Sequence, residues 1–225
     1  MIPWRVRVFI SKYFPLLYHY AANFGVQANS AEHWDKRLEE TWDDPDRSWP
    51  AKNALLRDLI KPQMQVLDVA CGNGSILRAL KSAGVQNLFA LEISAYAVAR
   101  LRGEGIDARC GMLPDIDYED VRFDAVIASQ VLEHIIRRRT FLKEILRVLK
   151  PGGEAYIFVP DNRLGPIDEP EHVVMFNEKS LRKLLSRNFE VLAVESIRDA
   201  VHFTPVLYAR IRKPITPPHK YGVID

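Results

Sequence analysis

The chain has little cysteine: two residues in 225, Cys71 and Cys110. They make no metal-ligand spacing and no disulfide framework, so both are expected to be buried thiols in a reducing, cytoplasmic setting. No apolar run reaches the ~20 residues that cross a bilayer. The opening MIPWRVRVFISKYFPLLYHY lacks a clean apolar core and a small-residue cleavage site, so no secretory signal is expected. A net charge of +2 gives no reason to expect nucleic acid or another polyanion as partner. The phosphate-loop pattern G-x-x-x-x-G-K-[ST] is absent, and no internal repeat is found. What remains is 48% hydrophobic and 27% charged, the balance of a soluble globular chain, and its length suits one domain with a substantial core.

The most informative run is VLDVACGNGSIL, Val66 to Leu77. An apolar strand carries Asp68 near its end, and a turn with Gly72 and Gly74 opens a helix. A second apolar run, NLFALEIS, places Glu92 near its own end. Strand, glycine turn, helix, then a strand ending in an acid is how an open α/β sheet holds a nucleoside-containing ligand. The glycines let backbone approach the ligand, and the acid can accept hydrogen bonds from ribose hydroxyls. Ser75, Ile76 and Leu77 follow Gly74, so the third glycine of the dinucleotide fingerprint is missing. The turn suits a ligand with a ribose and no diphosphate.

These residues resemble the Rossmann-like (class I) S-adenosylmethionine-dependent methyltransferases, in the small-molecule branch. The resemblance continues through FDAVIASQVLEHI (residues 123–135), LKPGG (149–153) and EHVVMFNEKSLRKLL (171–185), in the family's order, and covers roughly residues 60–213. It implies S-adenosyl-L-methionine as cofactor, no metal, and a small-molecule acceptor. Its cofactor residues fall on Asp68, Ala70, Cys71, Gly72, Gly74, Glu92, Ile93, Met112, Leu113, Ser129 and Gln130. Two departures stand out. Ala70 replaces the first glycine of the turn, and no carboxylate lies at Cys110-Gly111-Met112 to meet the adenine amino group, which leaves that contact to backbone around Met112 and Leu113.

From Gln65 onward strand and helix alternate, which argues a doubly wound, mostly parallel seven-stranded α/β sheet. Strands are expected at 65–70, 87–92, 107–111, 123–128, 154–159, 189–197 and 203–211, and helices at 51–60, 75–83, 95–103, 138–149 and 178–187. The last two strands are separated only by Arg198-Asp199-Ala200, so they form a hairpin and one sheet edge is antiparallel. Residues 1–50 read as an extension or lid, 51–213 as the methyltransferase domain and 214–225 as a flexible tail. Ser30 is a candidate N-cap. The first 20 residues interleave aromatic and basic side chains, the composition of a packed lid or of a peripheral membrane contact. Trp42 and Trp49, in TWDDPDRSWP, either wall a ligand chamber or anchor the extension.

Methyl transfer from a sulfonium needs an aligned nucleophile, and a base only where the acceptor must lose a proton. Asp68 either caps the glycine turn or reaches the methionine amino group of the cofactor through water. His134 and His172 are the base candidates, each with a structural alternative. For His172, in a loop of about 17 residues whose length favours substrate binding, the alternative is capping by Glu169 or Glu171. Gln130, Glu133 and His134 match a metal-assisted pattern except that Gln130 is a poor ligand. SQVLEH lacks the Pro-Pro-aromatic motif of nucleic-acid amino methylation. Oxygen is the expected acceptor atom, with nitrogen and carbon open. Two rivals remain: a cofactor-binding protein without transfer, and a membrane-surface methyltransferase of a lipid-linked sugar. Acceptor identity and oligomeric state are not legible.

Overall fold

The computed structural model describes residues 3–22, 29–161, 171–198 and 205–215. Its centre is β1 (Gln65–Val69), four of whose five residues are buried. A short run buried on both faces belongs inside a parallel sheet. β1 pairs in parallel with β2 (Asn87–Glu92) on one side and β4 (Phe123–Ser129) on the other. β3 (Asp107–Cys110) extends the first side, and β5 (Leu149–Pro160), β7 (Val206–Arg212) and β6 (Glu190–Ile197) extend the second. The order is β3-β2-β1-β4-β5-β7-β6. Chain direction therefore reverses outward from β1 and β4, and a crevice opens between their carboxyl ends.

The expected seven-stranded fold is borne out, including the antiparallel pairing of β6 with β7. The antiparallel strand lies one place in from the edge, since β7 inserts between β5 and β6. Burial gives the reason: VLYARIR is almost entirely buried, whereas EVLAVESI is mostly exposed or half-buried. Glu154 on β5 fastens β7 through Arg210 (2.7 Å) and Arg212 (2.9 Å). The connecting turn, the tail beyond Ile215 and residues 162–170 lie outside the described residues.

Successive side chains of a strand point to opposite faces, and β1 divides its core accordingly. Leu67 and Val69 join Val126, Phe141 and Ile145 beneath α7 (Arg138–Val148) and α8 (Glu178–Leu185). Val66 faces the other way, toward Leu56, Leu77 and Leu101 of α4 (Pro50–Leu59), α5 (Ser75–Ser82) and α6 (Ala95–Gly103). Each such fully buried side chain contributes about 1.5–3 kcal/mol. Asp68 is on the second face.

The N-terminal segment is helical: α1 (Trp4–Tyr13), α2 (Pro15–Ala22) and α3 (Ala31–Glu40). Ser30 caps α3 as expected, its hydroxyl accepting from His33 N–H at 3.2 Å. Asp35 ties α3 to the start of α6, accepting from Ser94 Oγ (2.6 Å) and Tyr96 N–H (3.1 Å). One expectation needs correction. Cys110 is exposed, because β3 is the edge strand and ends there, while Cys71 is half-buried in the turn after β1.

Candidate active site

The carboxyl ends of β1, β2, β3 and β4 open into a cavity of about 770 Å³, ample for a nucleoside and a small acceptor. Every candidate site residue named from the sequence lines it except Gly74. Gly74 serves packing instead. It has φ +76°, and a Cβ there would meet Leu101 Cδ2 at 2.4 Å, so the glycine lets α5 start hard against α6. Gly72 (φ +55°) has room for a Cβ and is held to glycine by its backbone alone. Ala70 adopts the same left-handed conformation, φ +54°, at a steric cost that glycine avoids.

The acid after β2 holds the turn after β1. Glu92 Oε2 accepts from Gly72 N–H (2.8 Å), and Oε1 accepts from Ile93 (2.9 Å) and Ser94 (3.2 Å). Of the two roles open to Asp68, the cap on the turn is thus filled by Glu92. Burial raises the Glu92 pKa, and those three backbone donors oppose the rise.

Asp68 is 1% exposed, and neither carboxyl oxygen has a hydrogen-bond partner among the described residues. Burial first, then the charge of Glu92, pushes its pKa well above the usual carboxylate range, with Lys52 pulling the other way. A buried acid without a hydrogen-bond partner that lines a cavity is a group waiting for a cation or a donor. Lys52 is also buried. Its ammonium donates to Ser129 Oγ at 3.0 Å and lies 3.9 Å above the Trp49 ring. Trp49 therefore walls the cavity, whereas Trp42 is buried against Tyr96 at 5.7 Å as an anchor.

His134 and His172 meet edge to face at 4.7 Å, and both line the cavity. His134 Nδ1 donates to the Glu171 carbonyl at 3.2 Å. The Glu133 carboxyl is beside both rings, buried and without a hydrogen-bond partner among the described residues, and burial raises its pKa to about 8. One donor atom from each of Glu133, His134 and His172 lies within 4.8 Å of the others, a spacing that can enclose a cation. Gln130 adds only a neutral amide.

Glu171 does not cap His172. Its carboxylate takes hydrogen bonds from His33 (2.9 Å) and Arg37 (2.7 Å), and its carbonyl takes one from Asn29 (3.0 Å). α3 is thereby fastened to the segment that carries His172, and Trp34 of α3 packs its ring 5.8 Å from His134.

Residues 67–157 match a family described as a methyltransferase domain. Over this stretch the chain is similar to methyltransferase domains. Among its relatives is a 24-methylenesterol C-methyltransferase 2 of Oryza sativa subsp. japonica, 34% identical over 50% of this chain and 34% of that protein. A ubiquinone biosynthesis O-methyltransferase of Bradyrhizobium diazoefficiens is 36% identical over 40% of this chain and 37% of the relative. This chain spans about a third of the length of those relatives. In fold it is similar to the 1,6-didemethyltoxoflavin-N1-methyltransferase of Burkholderia thailandensis, solved with S-adenosylhomocysteine. The TM-score is 0.66, at 18% identity, over 81% of this chain and 85% of the other.

S-adenosylmethionine is the cofactor that this likeness to methyltransferase domains implies, and the residues present fit it. The unpartnered Asp68 carboxyl suits an ammonium, the left-handed Gly72 turn leaves backbone open to the cavity, and Glu92 retains acceptor capacity for a ribose hydroxyl. A carboxylate offers about four acceptor sites, and three are taken by backbone N–H groups. A clasp on two hydroxyls therefore releases one of those bonds.

Sequence reasoning missed Lys52 and the part played by Glu171. Lys52 had a signal: it precedes Leu56 by one helical turn, on the stripe that α4 buries. Glu171 had none, because its partners are more than 130 residues away in the chain.

Proposed function

We propose that the protein transfers a methyl group from S-adenosylmethionine to a small-molecule acceptor, oxygen being the favoured acceptor atom, in the cytoplasm. The observation that carries this reading is the Asp68 carboxyl, without a hydrogen-bond partner among the described residues, in a cavity that Glu92, His134 and His172 also line. The cofactor, when bound, supplies a methyl group on a sulfonium. The chain supplies placement, which can lower a barrier by ~7–11 kcal/mol. Asp68 binds the ammonium of the methionine moiety and Glu92 the ribose. Ile93, Met112 and Leu113 line the adenine side, and Ala70, Cys71, Ser129 and Gln130 complete the cradle.

Trp34 and Trp49 wall the acceptor and exclude water, with α3 held over it by Asp35 and Glu171. An alcohol or phenol must lose its proton as the new bond forms. His172 or His134 takes that proton, and the neighbouring Glu133 carboxyl stabilises the imidazolium once ionised. A neutral amine attacks with its own lone pair and can shed its proton to solvent afterwards, which is why the paired imidazoles favour oxygen over nitrogen.

The test is transfer of a radiolabelled methyl group to separate pools of hydroxyl and amine acceptors. Turnover confined to hydroxyl compounds, and lost in His172→Ala with S-adenosylhomocysteine affinity intact, supports the reading. Turnover confined to amines removes the oxygen assignment. A second reading, action on a lipid-linked sugar at a membrane surface, is favoured by the outward apolar faces of α1 and α2.

A further inference from the structure

α1 and α2 turn their apolar sides to solvent. On α1, Val6, Phe9 and Tyr13 share one face at helical spacing; Phe9 and Tyr13 are 55% and 58% exposed, while Ser11 is buried. On α2, Leu17 and Tyr20 are each 61% exposed, and Tyr18 points inward, where its hydroxyl accepts from Arg7 at 3.0 Å. The Phe9 ring lies 4.8 Å from Tyr13 and 6.3 Å from Phe14, so the aromatic surface runs on from α1 to the start of α2. A helix packed on a globular core hides its apolar stripe, whereas these apolar side chains stand in solvent beside the basic ones. A contiguous exposed patch of this kind marks a docking surface.

Charge selects the occupant. Before Glu32 the sequence has three cationic side chains, Arg5, Arg7 and Lys12, and no anion; the remainder has 28 Lys and Arg against 29 Asp and Glu. A second copy docked face to face would set these cations against each other. An anionic bilayer meets every feature instead: aromatic rings seat at headgroup depth and Lys or Arg beside them pair with lipid phosphates. Lys12 and Arg5 are both exposed, and Lys12 Nζ lies 5.3 Å above the Tyr13 ring at the border of the patch. No helix among the described residues is long and apolar enough to cross a membrane, so the contact lies on the surface.

We propose that the α1–α2 hairpin docks peripherally on an anionic lipid bilayer, with Phe9, Tyr13, Phe14, Leu17 and Tyr20 entering the headgroup region. The inference goes beyond methyl transfer and is tested without it. The hairpin leads within ten residues to α3, whose Trp34 and Arg37 line the cavity, so docking brings the cover of the site to the membrane.

The experiment is co-sedimentation of the full chain with vesicles of phosphatidylcholine alone and with about one-third phosphatidylglycerol. The parent protein is expected to sediment with the anionic vesicles, and at least fivefold less with neutral ones or in high salt. Two variants separate the contributions, Phe9→Ser/Leu17→Ser and Arg5→Glu/Lys12→Glu. Each is expected to cut anionic-vesicle binding at least fivefold while melting temperature and S-adenosylhomocysteine affinity stay at parental values. A parent protein that stays in the supernatant with both vesicle types overturns the proposal. So does equal binding by parent and variants. Loss of a concentration-dependent dimer in Phe9→Ser/Leu17→Ser, without any lipid binding by the parent, assigns the face to a second copy instead. Failure of cofactor binding would leave all these outcomes readable.

Discussion

The backbone N–H of Gly72 donates to Glu92 Oε2 at 2.8 Å, so the acid that ends β2 holds the glycine turn that ends β1. Two motif halves separated in sequence are thus one hydrogen-bonded unit at the switch point of the sheet. The unit leaves Asp68, on β1 just before that turn, with no hydrogen-bond partner among the described residues. One acid keeps the cradle in shape and the other stays available to a ligand.

Asp68 makes ligand binding depend on pH. Its folded-state pKa is raised, chiefly by burial, so the ligand-free protein carries it protonated at pH values where an exposed carboxyl is ionised. An incoming ammonium favours the carboxylate, so binding releases a proton and affinity rises with pH until the free-protein pKa is passed. Calorimetry of S-adenosylhomocysteine in buffers of different ionisation enthalpy should report that proton. Asp68→Asn should abolish both the release and the pH slope.

Glu133 makes stability depend on pH in the opposite sense to an ordinary paired carboxylate. Its pKa rises from 4.5 to about 8 on folding. The folded state then binds the proton more tightly than the unfolded chain, a contribution present below pH 4.5 and lost as pH climbs through about 8. The permanently neutral Glu133→Gln should therefore melt close to the parent at low pH and several degrees above it beyond pH 8. Asp68 shifts in the same direction but is common to both proteins, so it cancels in the comparison.

The turn itself gives a pair of opposite backbone predictions. Gly74→Ala puts a methyl 2.4 Å from Leu101 Cδ2 at φ +76° and should cost about 2–4 kcal/mol in urea unfolding. Ala70→Gly relieves φ +54° and should be neutral or stabilising by up to about 1 kcal/mol.

Glu171 should govern the cover. Replacing it by Gln weakens the bonds from His33 and Arg37 that tie α3 to the His172 segment. Amide exchange in residues 31–40 is expected to speed up at least fivefold, with exchange in β1 and β4 unchanged.

The sheet and the cofactor turn were legible because their signals are local. Continuous apolar runs gave the strands, and two glycines between an apolar strand and a helix gave the turn. Where meaning lay in contacts far along the chain, the sequence was silent. Glu92 as the cap on Gly72 could not be told from an acid reserved for ribose, and Glu171 reads as any loop acid. The placement of β7 between β5 and β6 had a readable cause, its two-sided burial, but hairpin logic alone puts the antiparallel strand at the edge. Cys110 was expected buried because it ends an expected strand; that strand lies at the sheet margin, a property of topology rather than composition. The first 20 residues showed aromatic and basic side chains, and only the fold shows that the apolar ones face out.

The most direct measurement is calorimetric titration of the protein and its Glu92→Ala variant with S-adenosylhomocysteine. The account predicts micromolar binding by the parent, weakened at least tenfold in the variant, which loses both the ribose acceptor and the bond that shapes the turn. No binding to folded parent protein would contradict the assignment of this cavity to the cofactor.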